Sequence, residues 1–209
     1  MRNMLVKVCG LIDEQNLSDI AALSIDMIGL NFYKPSKRYL GENRLSFSEK
    51  IPDHIFKVGV FVNEELEKVK EIGTAYNLDY AQLHGNESIV YCMEIQKSMK
   101  VIKAFGIQEG VNIDLEVEGY EFCDYLLFDT KSPNHGGTGV KFKWETLNSY
   151  SGNTSFLLSG GLGPDDHKAI LAIDHPALKG VDINSKFESA PGIKIVEKVS
   201  YFTKKLQEQ

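Results

Sequence analysis

The sequence predicts an α/β fold: a single (β/α)8 barrel of eight parallel strands that occupies residues 1–209. Three observations support this prediction. Eight short runs rich in Val, Ile, Leu and Phe follow one another along the chain, and amphipathic stretches separate them. Each unit of strand and helix takes roughly 25 residues, as in small barrels of this class. A hydrophobic content of 43% is enough for the core of one such domain.

The apolar runs are continuous rather than alternating, which is typical of strands buried on both faces of a parallel sheet. They predict strands at Leu5–Cys9, Met27–Tyr33, Phe56–Phe61, Tyr80–Leu83, Lys100–Phe105, Tyr125–Asp129, Ser155–Ser159 and Gly180–Asn184.

The stretches between these runs carry helix signals. Asn63 is the predicted N-cap of a helix over Glu64–Tyr76, and Asn86–Lys97 begins with a similar residue. The segments Arg44–Ile51 and Gln108–Gly119 fit either a helix or irregular chain. Further helices are predicted at Asp13–Ser24, Phe142–Tyr150, Pro164–Ile173 and Ile193–Gln207.

A doubly wound open sheet is the competing fold. Its dinucleotide-binding members carry a GxGxxG pattern after the first strand, and Cys9-Gly10-Leu11-Ile12 lacks that pattern. The chain also shows no linker or low-complexity segment. The barrel is therefore the favoured fold.

Composition narrows the function classes. A net charge of −6 argues against a nucleic acid or an anionic membrane as partner. The three cysteines form no CxxC or Cys/His cluster, so we expect no disulfide framework, no metal site and a reducing cytoplasm. No segment has the apolar stretch of a signal peptide or the length of a membrane span.

Cys9 and Asp129 each stand where an apolar run stops. In a closed parallel barrel both side chains project from the same rim, where catalytic residues of this fold lie. A thiol and a carboxyl group there can move protons without metal or cofactor, which predicts an isomerase. The alternatives are a buried core thiol and a loop-capping carboxylate.

The loops after the seventh and eighth strands predict a phosphate site, because barrels of this class commonly bind phosphate there. Paired glycines let the main chain approach a ligand, and N–H groups of a short helix can bind the anion. The residues concerned are Gly160, Gly161, Asn184, Ser185 and Lys186. The alternative is two ordinary tight connections.

Three other rim features carry functional hypotheses. Arg38 is either a fork for a substrate carboxylate or part of a solvated basic loop. His84 is expected to be a polar rim or hydrogen-bonding residue rather than a metal ligand. A glycine-rich segment after the sixth strand is either a lid or a flexible turn; it comprises Gly136, Gly137, Thr138 and Gly139.

Seven short motifs then occur in a specific order and span nearly the whole chain. They are Lys7–Gly10, Gly29–Tyr33 with Ser36–Tyr39, Val58–Asn63, Gln82–Gly85, Phe128–Lys131 with Gly136–Gly139, Leu158–Leu162, and Val181–Glu188 with Pro191-Gly192. In this order they resemble the phosphoribosylanthranilate isomerase family of tryptophan biosynthesis.

The resemblance implies an Amadori rearrangement of N-(5-phosphoribosyl)anthranilate to 1-(2-carboxyphenylamino)-1-deoxyribulose 5-phosphate. It implies that Asp129 protonates the furanose oxygen and that the Cys9 thiolate removes the C2′ proton. Arg38 would hold the anthranilate carboxylate, and Asp182 and His84 would face the sugar. Gly160, Gly161, Asn184 and Ser185 would surround the phosphate. The resemblance further implies a phosphorylated small-molecule substrate, no cofactor, and a monomer or homodimer.

One departure and three alternatives remain open. The family usually reads Ser-Ser-Gly-Val-Glu where this chain has Asn184-Ser185-Lys186-Phe187-Glu188, so Lys186 either adds a cation beside the phosphate or reshapes the loop.

The first alternative function is that of another phosphosugar barrel enzyme. An epimerase would need metal-binding histidines, and indole-glycerol-phosphate synthase would need lysines such as Lys7 and Lys103. The histidine-pathway isomerase would need an aspartate in place of Cys9. A catalytically silent barrel that binds a phosphorylated metabolite, or one that binds a partner protein, completes the set.

Overall fold

Eight parallel strands close into a barrel in the computed structural model, which describes residues 4–41, 44–130 and 142–208. Each strand pairs with its neighbours in sequence, and the eighth pairs with the first. The strands are β1 (Leu5–Cys9), β2 (Met27–Asn31), β3 (Phe56–Phe61), β4 (Tyr80–Leu83), β5 (Lys100–Ile107), β6 (Tyr125–Thr130), β7 (Phe156–Leu158) and β8 (Leu178–Ile183). The predicted barrel is confirmed, and a single domain over residues 1–209 stays a prediction.

Helices cover the outside of the barrel. They are α1 (Glu14–Ala21), α2 (Leu45–Glu49), α3 (Leu66–Ala75), α4 (Ile89–Gln96), α5 (Ile113–Glu116), α6 (His167–Leu171) and α7 (Val196–Gln207). Short 3-10 helices lie at Trp144–Ser149, Pro164–Asp166 and Ser185–Phe187, and after β8 the strands β9 (Glu188–Ala190) and β10 (Ile193–Lys194) form an antiparallel pair. Within the described ranges, no helix has the length and apolar character to cross a membrane.

The core has two layers. In the outer layer, α1 buries Leu17 and Ile20 on one face, and α7 buries Val199 and Phe202. The inner layer fills the barrel with every second residue of the strands, because side chains alternate across a strand. Its main members are Met27, Val58, Tyr80, Ile102, Ala104, Leu127 and Leu157. Each fully buried side chain of this kind contributes about 1.5–3 kcal/mol.

Three aspartates fix the amino-terminal ends of the strands. Asp26, Asp79 and Asp124 each precede an even-numbered strand, and each accepts a main-chain hydrogen bond from the strand before it. The donors are the N–H groups of Val6, Lys57 and Val101, at 2.8, 2.8 and 2.9 Å. These contacts satisfy N–H groups at the start of β1, β3 and β5.

Two predicted helix starts are wrong. Asn63 adopts a φ of +49° and its Oδ1 accepts the N–H of Asn86, so neither asparagine caps a helix. The following helix, α3, begins only at Leu66. Ser88 caps α4, and its Oγ accepts the N–H of Tyr91 at 3.2 Å. The two asparagines instead tie the loops after β3 and β4 together.

Three further predicted helices differ from the observed structure in type or in bounds. Phe142–Tyr150 contains a 3-10 helix, and Pro164–Ile173 divides into a 3-10 turn followed by α6. The last helix begins at Val196 instead of Ile193, because Ile193–Lys194 pairs with β9. That small antiparallel pair brings Lys194 close to the carboxyl end of the barrel, where it joins the candidate site described next.

Candidate active site

A cavity of about 680 Å³ opens at the carboxyl end of the barrel. Its lining combines loop residues with the last inward-facing residues of the strands. Among the predicted site residues it includes Cys9, Arg38, His84, Asp129, Gly160, Gly161, Asp182, Asn184 and Ser185. Residues that are distant in the sequence therefore meet in one cavity, as expected for the catalytic end of this fold.

Cys9 is the last residue of β1 and is 5% exposed. Burial raises the pKa of its thiol above the ordinary value, and the ammonium group of Lys7 opposes that shift. The side chain reaches the cavity and is not enclosed by aliphatic residues alone. It is therefore placed to touch a ligand.

Asp129 lies near the carboxyl end of β6 and is 8% exposed. Its Oδ1 accepts the N–H of Thr130 at 2.7 Å, and its Oδ2 lies 3.3 Å from His84 Nε2. Gly160 has a φ of +90°, and a Cβ there would lie 2.9 Å from Asp129 Oδ1 and 2.6 Å from Thr130 N. Only glycine fits beside this carboxyl group in that conformation.

His84 is oriented by Gln82, which the sequence analysis did not single out. Gln82 Nε2 lies 3.0 Å from His84 Nδ1. An amide NH₂ group only donates, so Nδ1 accepts and Nε2 carries the hydrogen that faces Asp129. Gln82 Oε1 is buried and has no hydrogen-bond partner in the described part of the chain. Gln82 also lines the cavity.

The guanidinium group of Arg38 is held by Glu188. Arg38 Nε donates to Glu188 Oε1 at 2.8 Å, and Nη2 donates to Oε2 at 2.6 Å. Glu188 also accepts from Lys194 Nζ at 2.6 Å and from the N–H of Gly192 at 3.1 Å. Although burial favours the neutral acid, hydrogen bonds from Arg38 and the charge of Lys194 hold the pKa of Glu188 below its usual value. Glu188 therefore fixes the edge of the guanidinium group that carries Nε and Nη2.

The predicted phosphate residues lie on two adjacent loops. Gly160 and Gly161 both adopt a positive φ, at +90° and +64°. Asn184 and Ser185 also line the cavity, and Asn184 Oδ1 accepts from Lys194 Nζ at 2.7 Å. Lys186, by contrast, is exposed and is not one of the lining residues. Its contact with phosphate stays a prediction.

Two further predictions concern the lid and metal binding. Gly136, Gly137, Thr138 and Gly139 lie outside the described residues, so the lid stays a prediction. Across residues 4–41, 44–130 and 142–208, no three His, Cys, Asp or Glu side chains are grouped to hold a metal ion.

Comparison with known proteins decides the family. A family model described as N-(5'phosphoribosyl)anthranilate (PRA) isomerase matches residues 6–205, which is nearly the whole chain. The chain belongs to this family. The resemblance inferred from the seven motifs is thus confirmed, and the chain is an isomerase of tryptophan biosynthesis.

Relatives support this assignment over the full length. The N-(5'-phosphoribosyl)anthranilate isomerase of Parabacteroides distasonis is 42% identical over 208 residues, which cover 97% of this chain and 93% of the relative. The crystal structure of phosphoribosyl anthranilate isomerase from Thermotoga maritima is 32% identical with a TM-score of 0.86, over 99% and 100% of the two chains.

A third match is a phosphoribosyl anthranilate isomerase in complex with reduced 1-(o-carboxyphenylamino)-1-deoxyribulose 5-phosphate. It is 31% identical, with a TM-score of 0.83 over 99% of this chain and 100% of that chain. The solved isomerases of this family therefore share the barrel fold of this protein.

Proposed function

We propose that this chain converts N-(5-phosphoribosyl)anthranilate to 1-(2-carboxyphenylamino)-1-deoxyribulose 5-phosphate, with Asp129 as general acid and Cys9 as general base. One observation supports these roles above all: the thiol of Cys9 and the carboxyl group of Asp129 line the same cavity, on β1 and β6. Two strands, β7 and β8, lie between them around the shorter arc of the barrel. A small molecule in the cavity can therefore face both groups.

The first step opens the sugar ring. Asp129 gives its proton to the furanose oxygen while the anthranilate nitrogen pushes electrons toward C1′, and a protonated Schiff base with a free hydroxyl group results. The main-chain N–H of Thr130 and the ring Nε2–H of His84 face the two oxygens of Asp129. They stabilise the carboxylate that remains after the proton has left.

The second step forms the product. The Cys9 thiolate removes the proton from C2′, which gives an enolamine, and the enolamine tautomerises to the ketone. Asp129 has lost one proton and Cys9 has gained one, so the two steps balance after exchange with solvent. No electrons leave the substrate, and the chemistry needs neither redox partner nor cofactor.

The remaining cavity residues suit the two anionic ends of the substrate. Arg38 offers its Nη1 group to the anthranilate carboxylate, since Glu188 occupies its other edge. The main-chain N–H groups around Gly160, Gly161 and Ser185 suit the phosphate. Asp182 and His84 also line the cavity and would face the sugar hydroxyls.

A direct assay tests the proposed function. Freshly formed phosphoribosylanthranilate is fluorescent, and we expect the purified protein to remove that fluorescence far faster than the uncatalysed reaction. Tight binding of the reduced product analogue without turnover would contradict the proposal and favour a catalytically silent barrel.

Replacing Arg38 with methionine should raise KM by about 10–100-fold, because a charge-assisted hydrogen bond to a carboxylate contributes about 1.5–3 kcal/mol. We expect a smaller effect on kcat, since the carboxylate is remote from C1′ and C2′. Steady-state kinetics measure both constants. The matched control is Lys50→Met, which removes a cation from an exposed ion pair with Glu14. An unchanged KM in Arg38→Met would assign the carboxylate to another group.

A further inference from the structure

We propose that Lys7 is a positioning residue that stabilises the thiolate of Cys9, and that Asp182 in turn holds Lys7 in place. It rests on the proposed role of Cys9 as the base and adds two residues behind it, Lys7 and Asp182. Lys7 and Cys9 are two residues apart on β1, so their side chains point to the same, inner face of the barrel. Asp182 is the residue paired with Lys7 across β1 and β8.

The ammonium group of Lys7 and the sulfur of Cys9 meet above Gly29 of β2. A Cβ built on Gly29 would lie 2.7 Å from Cys9 Sγ and 3.1 Å from Lys7 Nζ. Both atoms thus occupy the space that any larger residue at this position would fill. Glycine at position 29 allows the cation and the thiol to lie side by side.

Lys7 is completely buried, with 0% exposure, and its Nζ donates to Asp182 Oδ1 at 2.9 Å. Removing an ammonium group from water costs several kcal/mol, and an apolar pair in the same place would often be as stable. A buried ion pair is weak evidence for a stabilising role, and the position of this pair beside the thiol supports a functional one. Lysine carries three N–H donors, so Nζ can bond Asp182 and the sulfur at once.

Four charged groups face Cys9 from the surrounding elements. They are Lys7 on its own strand, Asp182 on β8, Lys194 on β10 and Arg38 from the loop after β2. Burial is the largest influence on the pKa of the thiol and raises it. Lys7 has the next largest effect and lowers this pKa. Asp182 then raises the pKa, and Lys194 lowers it. Cations outnumber the anion, and Lys7 has the strongest effect of the four charges on the thiol.

Lys7 itself remains charged. Burial alone would favour the neutral amine, but Asp182 and Cys9 hold the pKa of Lys7 above its ordinary value. The ammonium group is therefore the favoured form of Lys7 in this site. It stabilises the thiolate whenever Cys9 loses its proton.

The test measures the alkylation of Cys9 by iodoacetamide as a function of pH, in the full-length protein, by mass spectrometry of the peptide that contains Cys9. Only the thiolate reacts, so the midpoint of the profile reports its pKa. We expect Lys7→Met to raise the midpoint by about one pH unit or more, the usual effect of losing a nearby opposite charge. We expect Asp182→Asn to lower it, because a negative charge disappears while asparagine keeps an oxygen acceptor for Lys7.

The matched control is Lys103→Met. Lys103 is a lysine of β5 that is also buried, at 3% exposure, and it pairs with Glu87 on the outer side of the barrel. We expect this change to leave the midpoint of Cys9 unaltered. A midpoint that does not rise in Lys7→Met, or that rises equally in both lysine variants, would overturn the proposal.

The opposite sign of the two effects separates charge from damage to the fold. If Lys7→Met does not fold, Asp182→Asn decides alone, and a midpoint that stays or rises there overturns the proposal. The measurement does not depend on turnover. An active Cys9→Ser variant would end the proposed role of Cys9 as base, whereas a shifted midpoint would still establish the contact between Lys7 and the thiol.

Discussion

Replacing Cys9 with serine should lower kcat by at least about 10²-fold, the usual contribution of a general base. Serine keeps the size of the side chain, so the cavity should retain its shape. Its hydroxyl group holds its proton far more tightly than a thiol, and no thiolate remains to take the proton from C2′. Binding should change little, because the lost interaction acts on a proton that moves only in the transition state.

The pH dependence gives this prediction a second measurement. A base must be deprotonated, so kcat/KM should rise with pH through the pKa of the Cys9 thiol, which burial raises. That rising limb should disappear in Cys9→Ser. Cys92→Ser is the matched control, because Cys92 is a buried thiol of α4 that does not line the cavity. Full activity in Cys9→Ser would remove Cys9 from the mechanism.

Replacing Asp129 with asparagine should also lower kcat by at least about 10²-fold. The amide has no acidic proton to give to the furanose oxygen, and ring opening would then depend on the anthranilate nitrogen alone. Asparagine keeps an oxygen acceptor for the N–H of Thr130, so we expect the local structure to persist. Loss of fluorescence of phosphoribosylanthranilate, measured at saturating substrate, reports the change in kcat.

The same strand supplies the control for this variant. Asp124 precedes β6 at the amino-terminal end of the barrel, where it accepts the N–H of Val101. Asp124→Asn makes the same chemical change at the opposite end from the cavity and should leave kcat near the wild-type value. If Asp129→Asn kept its activity within a few-fold of the wild type, another group would have to supply the proton.

Much of the barrel could be predicted because parallel strands buried on both faces have a simple signature. The runs Leu5–Cys9, Phe56–Phe61 and Tyr80–Leu83 match the observed strands to the residue. Where an observed strand differs from its prediction, the pairing with the neighbouring strand decides its end. β2 ends at Asn31 instead of Tyr33, because its pairing with β3 also ends at Asn31. Hydrophobic composition predicts burial, but it does not predict where the last ladder hydrogen bond forms.

The helix starts were harder to predict for a related reason. Asparagine is a good N-cap, and the sequence offers one before each of α3 and α4. In the structure Asn63 instead bonds Asn86 across two loops that are distant in the sequence. A local preference of about 1 kcal/mol is small enough for a tertiary contact to override it.

The candidate site also contains some residues that could be predicted from the sequence and others that could not. Cys9, Asp129, Arg38 and His84 could be named because each stands at the end of a strand or in a recognisable motif. The residues that orient these side chains could not be predicted. Glu188, which holds Arg38, was only the last residue of a motif, and Lys194, which bonds Glu188, lay within a predicted helix. Both residues stand out because they are charged and buried. A sequence does not show that a charged residue is buried unless the partner of that residue is known.

By itself, the sequence determined the fold class and the family, and it predicted which end of the barrel carries the site and which two groups transfer protons. Strand periodicity and the positions of polar residues at strand ends are local properties, and they survive without knowledge of contacts. Only the tertiary structure decided which charges surround the thiol and the guanidinium group. Closure of the sheet pairs Lys7 with Asp182 across β1 and β8, and the β9–β10 pair brings Lys194 to Glu188. Electrostatic interactions depend on distance and burial, and both are properties of the folded chain.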